Sequence, residues 1–409
     1  MDPVNPEPTF NPALHRVALL TACCTFPLIF MGGLVTSKHA GMSVPDWPNS
    51  YGYNMFLFPP RLWIGGILYE HVHRLMGTVV GFCATMLTLV AWGPARTGRG
   101  RRIIAAIILL LTLANVIGTT AMVIHPAKFH LAPTVSSADI ISQGAVGGAG
   151  ILLCGFIAWF CRNPEPRRWV RWLSTACLIA ICIQGLLGGL RVDLVNLALA
   201  IVHGCFAQAS FCLIILTAAV TGRWWFNAPD LSKSETGHRG RRLVILAMTA
   251  VAVVYCQLIV GAMMRHFGAG LAIPDLPLAY GKWLPPTNAA QLAAANNWRI
   301  WTEGFDDRVT LGQIWLAFGH RIGAVLVTIA ILTLITAAAA QDHGSVGIRK
   351  LALILICLLV TQITLGLLTV YLRKPADIAS SHVAVGALVL VTTFLIAVRS
   401  MRLYSLRSR

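Results

Sequence analysis

The chain has 409 residues, of which 56% are hydrophobic and only 11% charged. With a mean hydropathy of +0.72, this excludes a soluble protein of one or two domains. The net charge of +17 invites a nucleic-acid reading. However, the basic residues lie in short segments between apolar runs longer than about 18 residues, the length that crosses a bilayer as a helix. With no water to satisfy backbone groups inside a bilayer, such runs must be helical. The expected fold class is therefore an all-α polytopic membrane protein.

Taken in order, the chain opens with a polar, proline-rich stretch, Met1 to Ala13, which has no basic region of the kind a cleaved signal peptide carries. Spans follow at about 16–37, 66–93, 103–124, 138–161, 169–191, 197–222, 241–265, 311–340, 349–371 and 379–401. Ten spans put both termini on one side. Most Lys and Arg fall in the loops of that side, among them Arg96, Arg101, Arg102, Arg162, Arg167, Arg168, Arg223, Lys233, Arg241, Arg349, Lys350, Arg402 and Arg409. The positive-inside rule then makes both termini cytoplasmic, with the protein in a bacterial inner membrane. The basic charge is thus a topology signal, and no nucleic-acid partner is expected. The eleven cysteines lie in or at the ends of the spans, and no C-x-x-C-H motif for covalent haem occurs.

An internal repeat runs through the spans. Gly32-Gly33-Leu34-Val35 through Ala40-Gly41-Met42-Ser43-Val44-Pro45-Asp46-Trp47-Pro48 aligns without gaps with Gly261-Ala262-Met263-Met264 through Ala269-Gly270-Leu271-Ala272-Ile273-Pro274-Asp275-Leu276-Pro277. His73-Arg74 then matches His320-Arg321, Gln184 with Gly188 matches Gln362 with Gly366, and His203 matches His382. Recurrence in the same order and with the same parity of spans predicts two parallel halves, 1–222 and 223–409. The first half carries two inserted helices near 103–161, for which peripheral packing or partner docking is the expected role. His125 and His130, in the loop between those helices, are weak candidates as ligands.

Four histidines, His73, His203, His320 and His382, fall inside spans at similar depth. A small residue stands four positions after each: Gly77, Ala207, Ala324 and Gly386. Residues four apart share a helix face, so a flat macrocycle fits against the backbone one turn away. Two histidines on facing helices of a bundle are the ligation expected for haem iron, whereas zinc wants three or four converging ligands. Each half would then be a four-helix bundle enclosing one haem, held by His73 with His203 and by His320 with His382. Arg74 and Arg321 are candidate partners for the propionates, with interfacial snorkelling an equal alternative. Glu70, one turn before His73, has Ala317 as its repeat counterpart. Ionisable groups at membrane depth are expensive and usually functional. A carboxylate in one half only predicts different jobs for the two haems, against the alternative of a hydrogen bond that fixes a histidine tautomer.

The residues Glu70 to Arg74 (E-x-x-H-R), Gly268 to Pro277 (G-A-G-L-x-x-P-D-x-P) and His320 to Gly323 (H-R-x-G), together with His203 and His382, resemble the haem A synthase family over most of the chain. The resemblance implies oxidation of the C8 methyl of haem O to a formyl group by successive hydroxylations. It implies that the N-terminal half handles the substrate haem with Glu70 as its essential carboxylate, while the C-terminal half holds a haem b that passes electrons. Implied partners are haem O, haem O synthase, terminal oxidase assembly factors and an electron donor, with a homo-oligomer left open. The family usually has eight spans, and some members carry a cysteine pair in an outer loop. This chain has ten spans and lacks that pair, so it looks more like the cysteine-free class. A dihaem b-type electron-transfer cytochrome is the alternative; it explains the four histidines but not Glu70. A haem or solute transporter also fits the parallel repeat, but predicts a site nearer the bilayer midplane.

Overall fold

The computed structural model describes residues 10–93, 98–124, 136–160, 165–231, 237–341 and 346–404. His125, His130, Cys161, the segment 1–9 and several basic loop residues lie outside the described residues. Ten described helices are long and apolar enough to cross a membrane, and the chain is an integral membrane protein. They are α1 (Pro12–Ser37), α2 (Gly66–Trp92), α3 (Gly98–Ile124), α4 (Ser137–Phe160), α5 (Arg168–Asp193), α6 (Leu197–Thr221), α8 (Gly237–His266), α10 (Leu311–Ala339), α11 (Val346–Tyr371) and α12 (Ala376–Tyr404). Two shorter helices, α7 (Arg223–Asn227) and α9 (Ala289–Trp301), lie outside the spans. No strand is present among the described residues, which hold only isolated bridges.

Local chemistry sets the helix ends. The Asn11 side chain accepts from the Leu14 amide and Pro12 fills the first turn of α1, where a missing N–H costs nothing. Asn196 caps α6 in the same way, and Thr310 with Gln313 forms a reciprocal capping box at the start of α10. Inside the spans, hydroxyls bond carbonyls one turn back: Thr25 to Thr21 at 2.7 Å, Thr88 to Ala84 at 3.0 Å and Thr393 to Val389 at 2.7 Å. Each such bond hides a polar group that lipid could not satisfy.

The chain divides into two compact units between Ala228 and Pro229. In the first, α1 packs on α2 and α6, and α5 packs on α2 and α6, which closes a ring of four helices. The inserted α3 and α4 pair with each other, and α4 rests on α2. In the second, α8, α10, α11 and α12 close a ring in the same cyclic order. Association within lipid relies on close packing and small residues, because lipid tails are as apolar as the helices. An ideal Cβ at Gly155 on α4 would lie 2.6 Å from Ile108 Cδ1 on α3, so the glycine lets the two helices pack without moving that side chain.

Each unit also carries a copy of one loop, 38–65 between α1 and α2 and 267–310 between α8 and α10. Asp46 accepts from the Tyr51 and Gly52 amides, both at 2.8 Å. Asp275 accepts from Tyr280 and Gly281 at 2.8 and 2.9 Å. The Tyr51 hydroxyl donates to the Ser43 carbonyl at 2.6 Å, and Tyr280 donates to Ala272. Burial pushes the Tyr280 phenol up to about 12, so it remains a donor throughout the physiological range. The carboxylates stabilise a turn whose tips have positive φ, 51° at Tyr51 and 57° at Tyr280. The repeat therefore extends to Tyr51-Gly52 and Tyr280-Gly281, beyond the apolar motif that first marks it.

Candidate functional site

The four span histidines share one setting. Each imidazole lies against a glycine of the neighbouring helix, where a side chain would intrude. An ideal Cβ would come within 3.1 Å of His73 Cε1 at Gly32, and within 3.2 Å of His203 Cε1 at Gly188. In the second unit the distances are 3.0 Å for His320 at Gly261 and 3.0 Å for His382 at Gly366. The pairs therefore run α1 to α2, α5 to α6, α8 to α10 and α11 to α12. Across each bundle His73 lies within electrostatic reach of His203, and His320 within reach of His382.

The ring nitrogens are steered from the same helices. His382 Nδ1 lies 3.1 Å from the carbonyl of Gln362, one turn before Gly366. An Nδ1–H donated there leaves Nε2 as the lone-pair nitrogen, as an iron ligand requires. The carbonyl of Leu28, one turn before Gly32, lies beside the buried His73 ring, although Nδ1 has no bond of normal geometry. Glutamines reinforce three of the four positions. Gln184 Nε2 donates to the His203 carbonyl at 3.1 Å, and Gln257 Nε2 donates to the His320 carbonyl at 2.8 Å. Gln362 Nε2 lies 3.4 Å from His382 Nε2. Gln257 was not singled out by the motifs. Its signals are a polar residue in an apolar span and its place four residues before Gly261, where the first half has Leu28.

These features suit a haem in each bundle: two imidazoles from facing helices, glycine cradles behind them and backbone carbonyls that can fix the tautomer. Of the small residues expected beside a macrocycle, Gly77 opens on free space. At Gly386 an ideal Cβ would instead lie 3.1 Å from Leu258 Cδ2 and 3.2 Å from Gln362 Nε2. His71 is a core residue. It is fully buried, with Ser50 Oγ 3.1 Å from its Nδ1 and the rings of Trp63 and Phe58 at 4.7 and 5.0 Å.

Arg74 and Arg321 each bond the loop that follows the preceding helix. Arg74 Nη1 donates to the Asp46 and Asn49 carbonyls at 2.6 and 2.9 Å, and Nη2 to Val44 O at 2.7 Å. Arg321 donates to Leu278, Ile273 and Asp275 carbonyls, each at 2.8 Å. The physical reason is that each loop turns its carbonyls inward over the helix end, and a guanidinium presents several fixed donors to satisfy them. Both side chains thus tie their loop to the helix that carries the histidine.

Glu70 is buried, 3% exposed. Its Oε1 accepts from Arg74 Nη2 at 2.9 Å and its Oε2 from the Val44 amide at 3.0 Å. It touches no histidine nitrogen through these bonds, so it does not fix a tautomer. The second unit builds the same arginine clamp around Ala317, which sits in an apolar cluster with Ala272, Ile273 and Ile314. The clamp thus needs no carboxylate, and Glu70 is an addition to the first unit. Arg191, at the end of α5 and missed by the motifs, lies within electrostatic reach of both Glu70 and His73 and donates to Gly41 O at 3.0 Å. In the second unit Arg265 lies within reach of His382.

All ten described cysteines lie on helices. Among the described residues no group of three or more His, Cys, Asp or Glu side chains is arranged to hold a metal ion.

Comparison with known proteins bears on this arrangement. A family model described as cytochrome oxidase assembly protein (COX15-CtaA) matches residues 145–394. The chain is 27% identical over 263 residues to a heme A synthase of Shewanella oneidensis, covering 62% of this chain and 73% of that protein. It is 24% identical over 395 residues to a heme A synthase of Beijerinckia indica, covering 90% of this chain and 88% of the relative. A heme A synthase of Bacillus licheniformis is 23% identical over 239 residues, 58% of this chain and 70% of its own. The histidine pairs and glycine cradles lie in a chain that belongs to the cytochrome oxidase assembly protein family.

Proposed function

We propose that this protein is a haem A synthase, an oxidoreductase that converts the C8 methyl of haem O to a formyl group by successive hydroxylations. The observation that carries this reading is one duplicated histidine site, with a buried carboxylate added to one copy only. In this reading His73 and His203 hold the substrate haem O in the first unit. His320 and His382 hold a haem b, which supplies electron exchange when bound.

The residues of the chain then divide the work. The glycine cradles let the imidazoles approach the neighbouring helices and hold them against rotation, and the Gln362 carbonyl sets the His382 tautomer. Glu70 presents a carboxylate, paired with Arg74 and with Arg191 in reach, one turn from His73, where on this reading the methyl group is oxidised. It serves either to stabilise positive charge developing on the methyl carbon or to move a proton. The 38–65 loop lies at this end of α2, bonded to Glu70 and Arg74. The two halves, 1–222 and 223–409, are on this account a substrate bundle and a haem b bundle. Arg74 and Arg321 are the candidate propionate partners, and Arg191 and Arg265 are further guanidinium groups in electrostatic reach of His73 and His382.

We further read the protein as lying in a bacterial inner membrane with cytoplasmic termini, handed haem O by its synthase, serving oxidase assembly and reduced by an electron donor. Placement of the ten described cysteines on helices supports the class without a loop thiol pair. The test is haem extraction from cells supplied with haem O, with and without the protein and with Glu70→Gln. Haem A should appear only with the wild-type chain, and haem O should accumulate with the variant. Normal haem A from Glu70→Gln removes the carboxylate from the chemistry. Haem b alone at both sites of the purified protein identifies an electron-transfer cytochrome instead.

A further inference from the structure

The two loop copies are held down by different devices. In the second unit the brace is the loop's own helix α9. Arg299, 1% exposed, donates to the Leu271 carbonyl and pairs with Asp307 at 2.8 Å. Asn296 exchanges two bonds with Val309, at 3.0 and 2.8 Å. The 38–65 loop has no such helix. Its polar groups are met by the inserted helix α4. Gln143 Nε2 donates to the Pro48 carbonyl at 2.9 Å, and its Oε1 accepts from the Met55 amide at 2.9 Å. Asn54, 1% exposed, donates to Ser142 Oγ at 2.6 Å.

Those α4 residues sit in an apolar helix, where uncompensated amides would be costly, so their position is informative. The rest of the insertion locks α4 at this depth. Gly150 abuts the Phe82 ring of α2, Cys154 lies 3.7 Å from the Phe82 carbonyl, and Asn115 of α3 donates to Gly144 O at 2.7 Å. The far side of the gripped loop reaches the haem site. Trp47 lies on Gly189, where a Cβ would be 2.5 Å from the indole, and Gly189 neighbours the Gly188 cradle of His203. Val44 meets Glu70 on the same stretch.

We infer that the inserted pair α3–α4 is a brace for the 38–65 loop, with Gln143 the positioning residue that keeps the loop closed over the first histidine pair. The consequence for haem retention rests on the function proposed above; the brace itself does not.

The experiment uses the full-length protein in detergent, with Gln143→Leu, Gln143→Glu and, for the other loop, Asn296→Leu. Amide hydrogen exchange at Met55 should accelerate about tenfold in Gln143→Leu. Gln143→Glu keeps the acceptor for Met55 but sets a carboxylate oxygen against the Pro48 carbonyl, so it should recover only part of the protection. Asn296→Leu should loosen Val309 and leave Met55 unchanged. Haem transfer to a soluble haem-scavenging apoprotein should be several-fold faster from the His73 and His203 site in Gln143→Leu, and unchanged from the second site. Unaltered Met55 exchange in Gln143→Leu overturns the brace. Faster exchange with unchanged haem release overturns its role at the site. Absence of haem A from cells carrying the wild-type chain overturns the synthase reading and leaves the exchange result to judge the brace.

Discussion

Gly366→Ala is a minimal change with a calculable consequence. The new methyl would stand 3.0 Å from His382 Cε1, against an ordinary contact of 3.4–4 Å, so the ring must retreat by several tenths of an ångström. It is tied at Nδ1 to Gln362 O at 3.1 Å, and retreat stretches that bond towards its limit. Over-packing of this kind costs about 1–3 kcal/mol, while replacing a helical glycine by alanine returns about 1 kcal/mol of helix stability. Global stability should therefore fall by about 0–2 kcal/mol. Haem affinity at that site should fall roughly 10- to 100-fold, because a ligand displaced by about 0.5 Å no longer meets iron correctly. The assay is haem-to-protein ratio, reduced absorption spectrum and midpoint potential of the purified protein. Gly319→Ala is the control: it neighbours His320, but its added methyl meets nothing within 4 Å. Full haem content and an unaltered spectrum in Gly366→Ala would refute the cradle argument, as would an equal loss in Gly319→Ala.

Removing the arginine clamps should have unequal effects. Arg74→Ala strands the buried Glu70 carboxylate as well as three loop carbonyls and should cost about 3–5 kcal/mol. Arg321→Ala strands carbonyls alone and should cost about 1–3 kcal/mol. Thermal unfolding in detergent compares them, and adding Glu70→Gln to Arg74→Ala should recover part of the loss; equal costs would remove Glu70 from the explanation. Gly189→Ala drives a methyl into the Trp47 indole and should destabilise the first-unit loop by about 1–3 kcal/mol. Limited proteolysis of residues 38–65 reads this out, and unchanged cleavage would mean that Trp47 does not anchor the loop. Substituting His73 or His203 by Ala should remove haem from the first site alone, and His320 or His382 from the second alone. Haem loss from both sites after any one substitution would contradict the pairing.

Much of this protein is written locally. A run of apolar residues is a helix in lipid whatever its neighbours do, so hydropathy alone placed all ten spans to within a few residues. The four histidines and the Glu70–Ala317 asymmetry were equally legible, because an internal repeat sets each residue beside its own control. The loop copies extend that repeat through Tyr51-Gly52 and Tyr280-Gly281, which the sequence also contains but whose use as turn tips held by Asp46 and Asp275 appears only in the fold.

What the sequence could not decide was the direction of the long polar side chains. Arg74 follows His73, which makes it a candidate propionate partner, and its donors also close on Val44 and Asp46, distant in sequence and adjacent only after folding. Gln143 lies in one of the inserted helices and Gln257 in a span, and no motif marks either. Each acquires a role from carbonyls or amides that only helix packing brings within 3 Å. Hydrophobic pattern is a property of one segment, whereas a hydrogen bond across the bundle belongs to two. The first can be read along the chain, and the second exists only once the helices have met.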